Sequence, residues 1–359
     1  MKVAFITRSS LFSSSGGDTL QVLNTAKYLE ELNVAVDIKL THEKITYDEY
    51  DLLHFFSIIR PADILPHIQK SKTPFVVTPL LIDYSEFDKQ YRKGITGKIF
   101  RFFSPDQIEY LKTMARWTRR QQRLKSYVYL LKGQRNSIQI VLKKAALILP
   151  NSELEYGQLT RTYAIAPPYN IILNGIEPRL FHNASTVEKD KCMVVCVARI
   201  EGLKNQINLI KALNNSEYQL YLIGNPATNQ ATYYDECRSL AAKNIHFIHH
   251  IRQEELIPYY QKAKVHILPS WFETCGLSSL EAAAMGCNVV ITNKGYASEY
   301  FKHHAFYCEP SSPGSIKEAI FNASNGTVCT KFQQKIIADF TWQNTAVNTY
   351  KAYKKIVPV

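Results

Sequence analysis

The sequence predicts an α/β fold of two domains, each built on a buried parallel sheet, and three observations carry that prediction. Short apolar runs recur along both halves of the chain, and the segments between them repeat their apolar residues at helical spacing. Alternation of this kind points to two Rossmann-like domains. At 359 residues the chain is long enough for two hydrophobic cores. Between the halves, residues 177–190 are polar and lack a strong pattern. The expected division is residues 1–178, residues 179–341, and a terminal helical stretch, 342–359, that packs back on the first domain.

In the first half, residues 3–7 read as a strand and 18–32 as an amphipathic helix. Strands follow at 34–40 and 52–56, then a short helix at 62–70 and a strand at 75–78. Two helices are expected at 106–131 and 134–144, and a strand at 146–149. Ser152 caps the next helix, with Glu155 three residues on completing a capping box. A strand at 170–173 ends the half. In the second half, strands are expected at 193–197, 219–223, 245–248, 265–268, 289–292 and 305–307. Residues 277–285 form a helix that Gly286 stops. The chain ends in a helix at 342–356.

Composition narrows the class. Hydrophobic residues make up 46% and charged residues 21%, the balance of a soluble globular protein. No run approaches the ~18 apolar residues of a membrane span. The first residues read as a strand rather than a signal peptide. Seven cysteines form neither a CxxC nor a Cys/His metal spacing, which fits unpaired thiols in a reducing cytoplasm.

The net charge of +12 is concentrated. Residues 89–144 hold fifteen Lys or Arg against two acids, Asp106 and Glu109, a net of +13. The segment also carries Phe100, Phe102, Phe103, Tyr110, Met114, Trp117, Tyr127 and Tyr129. Basic helices bearing aromatics suit an anionic membrane surface or a lipid-linked anionic acceptor. They equally suit a solvated face whose aromatics enter the core. No nucleic-acid motif accompanies the charge, so no nucleic-acid partner is expected.

Three constellations could carry chemistry. Glu273 and Glu281 lie eight residues apart, one on the loop leaving a strand and the other about a turn into a helix. In an open parallel sheet that loop is where ligands bind, and a helix N-terminus there suits an anion such as phosphate. The carboxylates could hold hydroxyl groups beside it. The spacing alone fits a solvated cap and helix face as well. Arg199, at the end of one strand, and Lys204, at the start of the next helix, could neutralise a diphosphate. Gly16 and Gly17, between a strand and a helix, would let backbone approach a ligand closely. They do not form GxGxxG, so the dinucleotide fingerprint is absent.

In series these motifs resemble the retaining nucleotide-sugar glycosyltransferases of family 4, which have the two-domain GT-B fold. The resemblance runs along nearly the whole chain. It rests on Gly16-Gly17, Asp51-Leu52-Leu53-His54 and Ala145 to Ser152. It continues through Asn174-Gly175-Ile176-Glu177 with Phe181, Arg199 with Lys204, and Leu222-Ile223-Gly224. Pro269-Ser270 with Glu273, Gly276-Leu277 and Glu281 follow, then Gly295 with Glu299.

The resemblance implies parallel sheets facing a central cleft, with the nucleotide sugar held mostly by the second domain. Arg199 and Lys204 would hold the diphosphate, and Glu281 the ribose hydroxyls. Glu273 would contact the donor sugar, with the backbone of Thr274, Cys275, Gly276 and Leu277 close to sugar and phosphate. Gly16 and Gly17 would approach the diphosphate from the first domain. Glu273, Arg199 and Lys204 are the expected catalytic set. No cofactor or metal is expected: the chain has no Asp-x-Asp, and Arg199, Lys204 and helix N-termini would offset the leaving charge. The implied reaction moves a sugar, with retention, to a hydroxyl on a glycan, a lipid-linked acceptor or an anionic polymer. Cell-surface polysaccharide, lipopolysaccharide or teichoic-acid assembly would use it. The place is the cytoplasm, with peripheral contact of residues 89–144 at the inner membrane face. A nucleotide-sugar 2-epimerase and a catalytically silent GT-B subunit are the alternatives. The chain departs from the family in three places. No histidine follows Thr78, which leaves Asp83 or Tyr84 for that role; Asn205 stands where glycine is commonest; and His249-His250 replace a glycine.

Overall fold

The computed structural model of the chain describes residues 1–92, 94–118, 126–182 and 187–357. It divides into two compact units, Met1–Asn174 with Trp342–Val359, and Gly175–Thr341. The first division comes four residues before the expected one. Ile176 N–H bonds Phe340 O at 2.9 Å, and a side chain on Gly175 would overlap the Thr341 backbone. Both ends of the second unit are thereby tied together.

The first unit holds β1 (Lys2–Thr7), α1 (Gly17–Glu30), β2 (Ala35–Leu40), β3 (Leu52–Phe56), α2 (Pro61–Lys70) and β4 (Phe75–Thr78). Then come α3 (Gly94–Phe100), α4 (Pro105–Thr118), α5 (Tyr127–Lys144), β5 (Leu147–Ile148) and α6 (Glu153–Tyr163). The sheet order is β2-β1-β3-β4-β5, all parallel. Every residue of β3 and β4 is buried, as central parallel strands require. Edge strand β2 keeps Asp37 and Lys39 at its half-buried face. The chain runs from β1 out to β2, then crosses back to β3, so the order reverses at β1.

Two expectations fail here. The helix expected at 106–131 is broken at Ser126, whose extended backbone, φ −123°, caps α5, its Oγ accepting the Tyr129 N–H. Residues 119–125 of that expected helix lie outside the described residues. Gly133, at φ 69°, kinks α5 near the break expected between two helices. The strand expected at 170–173 is absent; one isolated bridge pairs Tyr169 with Ile148. Asn170 and Ile172 N–H bond Ile148 O and Pro150 O, but Pro150 has no N–H to return the next bond of the ladder.

The second unit holds β6 (Asp190–Val197), α7 (Gln206–Leu213), β7 (Gln219–Ile223), α8 (Ala231–Leu240), β8 (Ile245–Ile248) and α9 (Gln253–Lys262). It continues with β9 (Ala263–Leu268), α10 (Leu277–Ala284), β10 (Asn288–Thr292), α11 (Ala297–Phe301), β11 (Ala305–Cys308), α12 (Pro313–Asn325) and α13 (Thr330–Asp339). The order β11-β10-β9-β6-β7-β8 is parallel throughout. The chain builds β6, β7 and β8 to one side, and α9 carries it back to β9 on the other. This is the doubly wound arrangement, with its reversal between β6 and β9. Gly286, at φ 79°, stops α10 as the sequence predicts.

α14 (Trp342–Lys354) returns to the first unit and packs on α1. Its Tyr353 hydroxyl lies 2.6 Å from His54 Nδ1, and His54 Nε2 lies 2.8 Å from Thr78 Oγ1. Burial lowers the pKa of His54 to about 3, so the ring is neutral and one nitrogen donates while the other accepts. All seven cysteines are unpaired.

Candidate active site

The loops after β6 and β9 leave adjacent strands at the point where the strand order reverses. A crevice opens there in doubly wound sheets, because the two chains run away from each other. Here three bonds knit the two loops, and a fourth ties them to the loop after β11. Trp271 N–H donates to Leu203 O at 2.9 Å. Asn205 Nδ2 donates to Pro269 O at 3.0 Å and to Pro310 O at 2.7 Å. Lys204 Nζ donates to Glu273 Oε2 at 2.7 Å. Asn205 adopts a left-handed conformation, φ 60°, which asparagine tolerates better than most residues. Its departure from glycine therefore keeps the turn and adds a side chain that joins the loops.

Glu273 is buried, and Ser270 Oγ donates to the same Oε2 at 3.1 Å. Its backbone is clamped from a third loop: Tyr296 N–H bonds Glu273 O at 2.8 Å, and Glu273 pairs with Gly295 in an isolated bridge. A Cβ on Gly295, at φ 100°, would overlap the Glu273 carbonyl. Glycine is required there by close approach as well as by conformation.

Thr274 and Leu277 are half-buried and Cys275 buried on the turn into α10. Gly276, at φ 73°, starts that helix without a side-chain cap. Ser278 Oγ donates to Val197 O at 2.9 Å and fixes the helix start against the end of β6. The uncapped N-terminus of α10 thus presents backbone N–H groups beside the Lys204–Glu273 pair.

Glu281 lies farther into α10 and is buried. Gln253 Nε2 donates to its Oε1 at 2.8 Å, and the Tyr260 hydroxyl to its Oε2 at 3.3 Å. Burial pushes its carboxyl up to about 7, against the two donors, which favour the ionised form. Arg199 is more exposed and pairs with Glu201 at 3.0 Å. Its carbonyl accepts from Gln206 Nε2 at 2.9 Å, which holds the loop start to α7.

The second unit therefore gathers Lys204, Glu273 and the Thr274–Leu277 turn. Arg199 sits at the head of the same loop as Lys204, bonded to Glu201, and Glu281 sits behind the turn. Gly16 and Gly17 belong to the first unit, on the loop where its strand order reverses. Gly16 has extended backbone, φ −161°, open to any residue. Arg8 shapes that loop with all five guanidinium donors: Asp18 twice, Ser10 O and Oγ, and Ser14 O. Asp83 accepts the Ser85 N–H at 2.8 Å, and Lys112 lies 5.0 Å above the Tyr84 ring. His249 and His250 are exposed. Sequence reasoning missed Gln253 and Arg8, because neither belongs to a motif. Each is defined by a partner ten or more residues away.

Comparison with known proteins gives three findings. Residues 179–338 match the family described as glycosyl transferases group 1. The uncharacterized glycosyltransferase MJ1607 of Methanocaldococcus jannaschii is 25% identical over 199 residues, 52% of this chain and 50% of that protein. The chain spans about half or less of the length of this and similar relatives. A longer match, 26% over 327 residues, covers 82% of this chain and 83% of the N-acetylgalactosamine-N,N'-diacetylbacillosaminyl-diphospho-undecaprenol 4-alpha-N-acetylgalactosaminyltransferase of Campylobacter jejuni. Among solved structures, Anabaena HepE in complex with UDP-glucose superposes with a TM-score of 0.73 at 16% identity, over 99% of this chain and 100% of that one. At that identity the likeness speaks for the fold, which is the GT-B fold expected from the sequence.

Proposed function

We propose that this chain, whose residues 179–338 form a glycosyl transferases group 1 segment, moves one sugar from a nucleotide-diphosphate sugar to an acceptor hydroxyl with retention. One observation carries the proposal: the Lys204–Glu273 pair stands beside the uncapped start of α10, at the strand-order reversal of the second sheet. An ammonium, a carboxylate and open backbone N–H groups in that place suit a diphosphate joined to a hydroxyl-rich sugar.

In this reading Lys204 keeps Glu273 with one of its three N–H donors and offers the others to the diphosphate. Arg199 adds a second cation at the head of the loop. As the glycosidic C–O bond breaks, negative charge grows on the diphosphate, and Lys204, Arg199 and the α10 N-terminus offset it. Glu273 holds sugar hydroxyls, Glu281 the ribose diol, and the Thr274–Leu277 backbone flanks sugar and phosphate. Gly16 and Gly17 give the first unit's loop room for a ligand. The UDP-glucose bound to HepE supports a nucleotide-sugar donor.

The acceptor is a glycan, a lipid-linked sugar or an anionic polymer. The Campylobacter relative, whose name contains a diphospho-undecaprenol acceptor, favours the lipid-linked class. Phe102, Tyr127 and Leu131 are each at least 84% exposed, and Lys98 and Lys132 stand on the same helices as neighbouring exposed residues. Exposed apolar side chains with lysines near them in the chain suit an anionic bilayer. Other residues of the basic segment are spoken for. Tyr129 is buried, and Asp88 takes Arg92 and Lys112. Lys93, Arg119, Arg120, Arg123 and Lys125 lie outside the described residues. No described helix is long and apolar enough to cross a membrane.

The test is a thermal-shift screen against UDP, GDP, ADP and their sugars, followed by donor hydrolysis. One nucleotide should raise the melting point, and Lys204→Ala and Glu273→Ala should abolish turnover. Hydrolysis that survives both changes would refute the proposal. Co-sedimentation with anionic but not neutral vesicles tests the membrane part.

A further inference from the structure

Gln253 is used by no motif, yet it holds the carboxylate to which the proposal above gives the ribose. It is the first residue of α9, the helix that carries the chain across the sheet from β8 to β9. Its helix start does not need it. Glu255 Oε2 accepts the Arg252 N–H at 2.8 Å, and Glu255 N–H bonds Arg252 O at 3.0 Å, closing the first turn. The Gln253 side chain is thereby released to reach Glu281, 28 residues on, at 2.8 Å.

The two partners of Glu281 differ in kind. Tyr260 is wholly buried, so its bond to Oε2 belongs to the core. Gln253 is half-buried, so the bond to Oε1 is the one that borders solvent. A buried carboxylate left without a donor carries a heavy desolvation penalty. A neutral amide relieves it reversibly, without the fixed ion pair a lysine or arginine would form. A ligand hydroxyl reaching Glu281 can replace that amide bond like for like.

We propose that Gln253 is a specificity-determining latch: it occupies Glu281 Oε1 in the empty protein and yields it to the ribose diol of a bound nucleotide. The inference rests on the assignment of Glu281 to ribose. Ligands lacking the diol cannot replace the amide bond and gain nothing at Glu281. Ligands carrying it gain only the difference between two similar hydrogen bonds, so the latch holds down ribose discrimination in the wild type.

The test uses the full chain at pH 8.5 and whichever of UDP, GDP and ADP stabilises it most. Its Kd, and that of the 2′,3′-dideoxy counterpart, are measured by calorimetry for wild type, Gln253→Ala and Gln253→Met. Without a competing amide, the ratio of dideoxy to ribo Kd should rise, about 5-fold for one uncontested hydrogen bond. Met keeps the side-chain length and decides the matter if the Ala protein is unstable. A ratio that stays level or falls in the variants overturns the latch, because a glutamine that merely steadies Glu281 would weaken ribose binding when lost. Glu281→Gln separates the two ideas. If it brings the wild-type ratio to about one, the ribose site stands whatever Gln253 does. Ribo and dideoxy forms that bind equally in wild type and in both Gln253 variants overturn both.

Discussion

At the scale of single residues, the two glutamates of the motif carry their charge in opposite ways. Glu273 keeps a cation at 2.7 Å, whereas Glu281 has only neutral donors and burial raises its pKa to about 7. A carboxyl whose folded pKa lies above its unfolded value favours the folded state below the unfolded pKa. That contribution is lost as pH climbs through about 7. Glu281→Gln, neutral throughout, should therefore unfold later than wild type at pH 8, by on the order of 1–3 kcal/mol in urea melts. It should bind nucleotide more weakly at the same pH. Glu273 is held instead by an ion pair. Lys204→Ala leaves its buried carboxylate unpaired and should cost about 2 kcal/mol, and Glu273→Gln in the same chain should recover part of the loss. Sequence spacing showed both acids; that one is paired and the other enclosed depends on Lys204, Gln253 and Tyr260, which lie 21 to 69 residues away.

At the scale of elements, the site is a junction of loops rather than of strands. The β9–α10 loop is held by the β6–α7 loop through Leu203, Lys204 and Asn205, and by the β10–α11 loop through Gly295 and Tyr296. Gly295→Ala should push Glu273 aside. An unfolding cost of about 2 kcal/mol or more is expected from strain at φ 100° plus overlap with a backbone oxygen. Transferase or hydrolase activity should fall with it, while circular dichroism keeps its α/β shape. Apolar runs made nearly every strand legible, since buried parallel strands are continuous in hydrophobicity. The expected strand at 170–173 failed because Pro150, which faces it, has no N–H to return a ladder bond. The long helix expected at 106–131 failed at Ser126, where an extended residue caps a separate helix.

At the scale of the whole molecule, the two units are built differently. The second is one continuous stretch, Gly175–Thr341, and the first is completed by the end of the chain. Removing residues 342–359 takes away buried Trp342, Ala346 and Tyr353 and leaves His54 Nδ1 without its partner. The first unit should then melt well below its intact temperature in calorimetry, and the second should keep its own transition. A single shared shift of both would contradict that division. The C-terminal helix is amphipathic in sequence, but its destination is set by α1 and by a buried histidine about 300 residues earlier.

Hydrophobic periodicity, turn residues and motif order by themselves determined the α/β class, two parallel sheets, most strand positions and the family-like set Arg199, Lys204, Glu273 and Glu281. These are local properties, written within a few residues of where they act. Only the tertiary structure decided that Lys204 closes on Glu273, that Gln253 and Tyr260 enclose Glu281, and that Asn205 and Gly295 fix the loops. Such contacts form between segments far apart in the chain, when the strand order reverses and brings the ends of β6 and β9 side by side. A one-dimensional pattern does not carry that reversal, because the same apolar runs fit several strand orders.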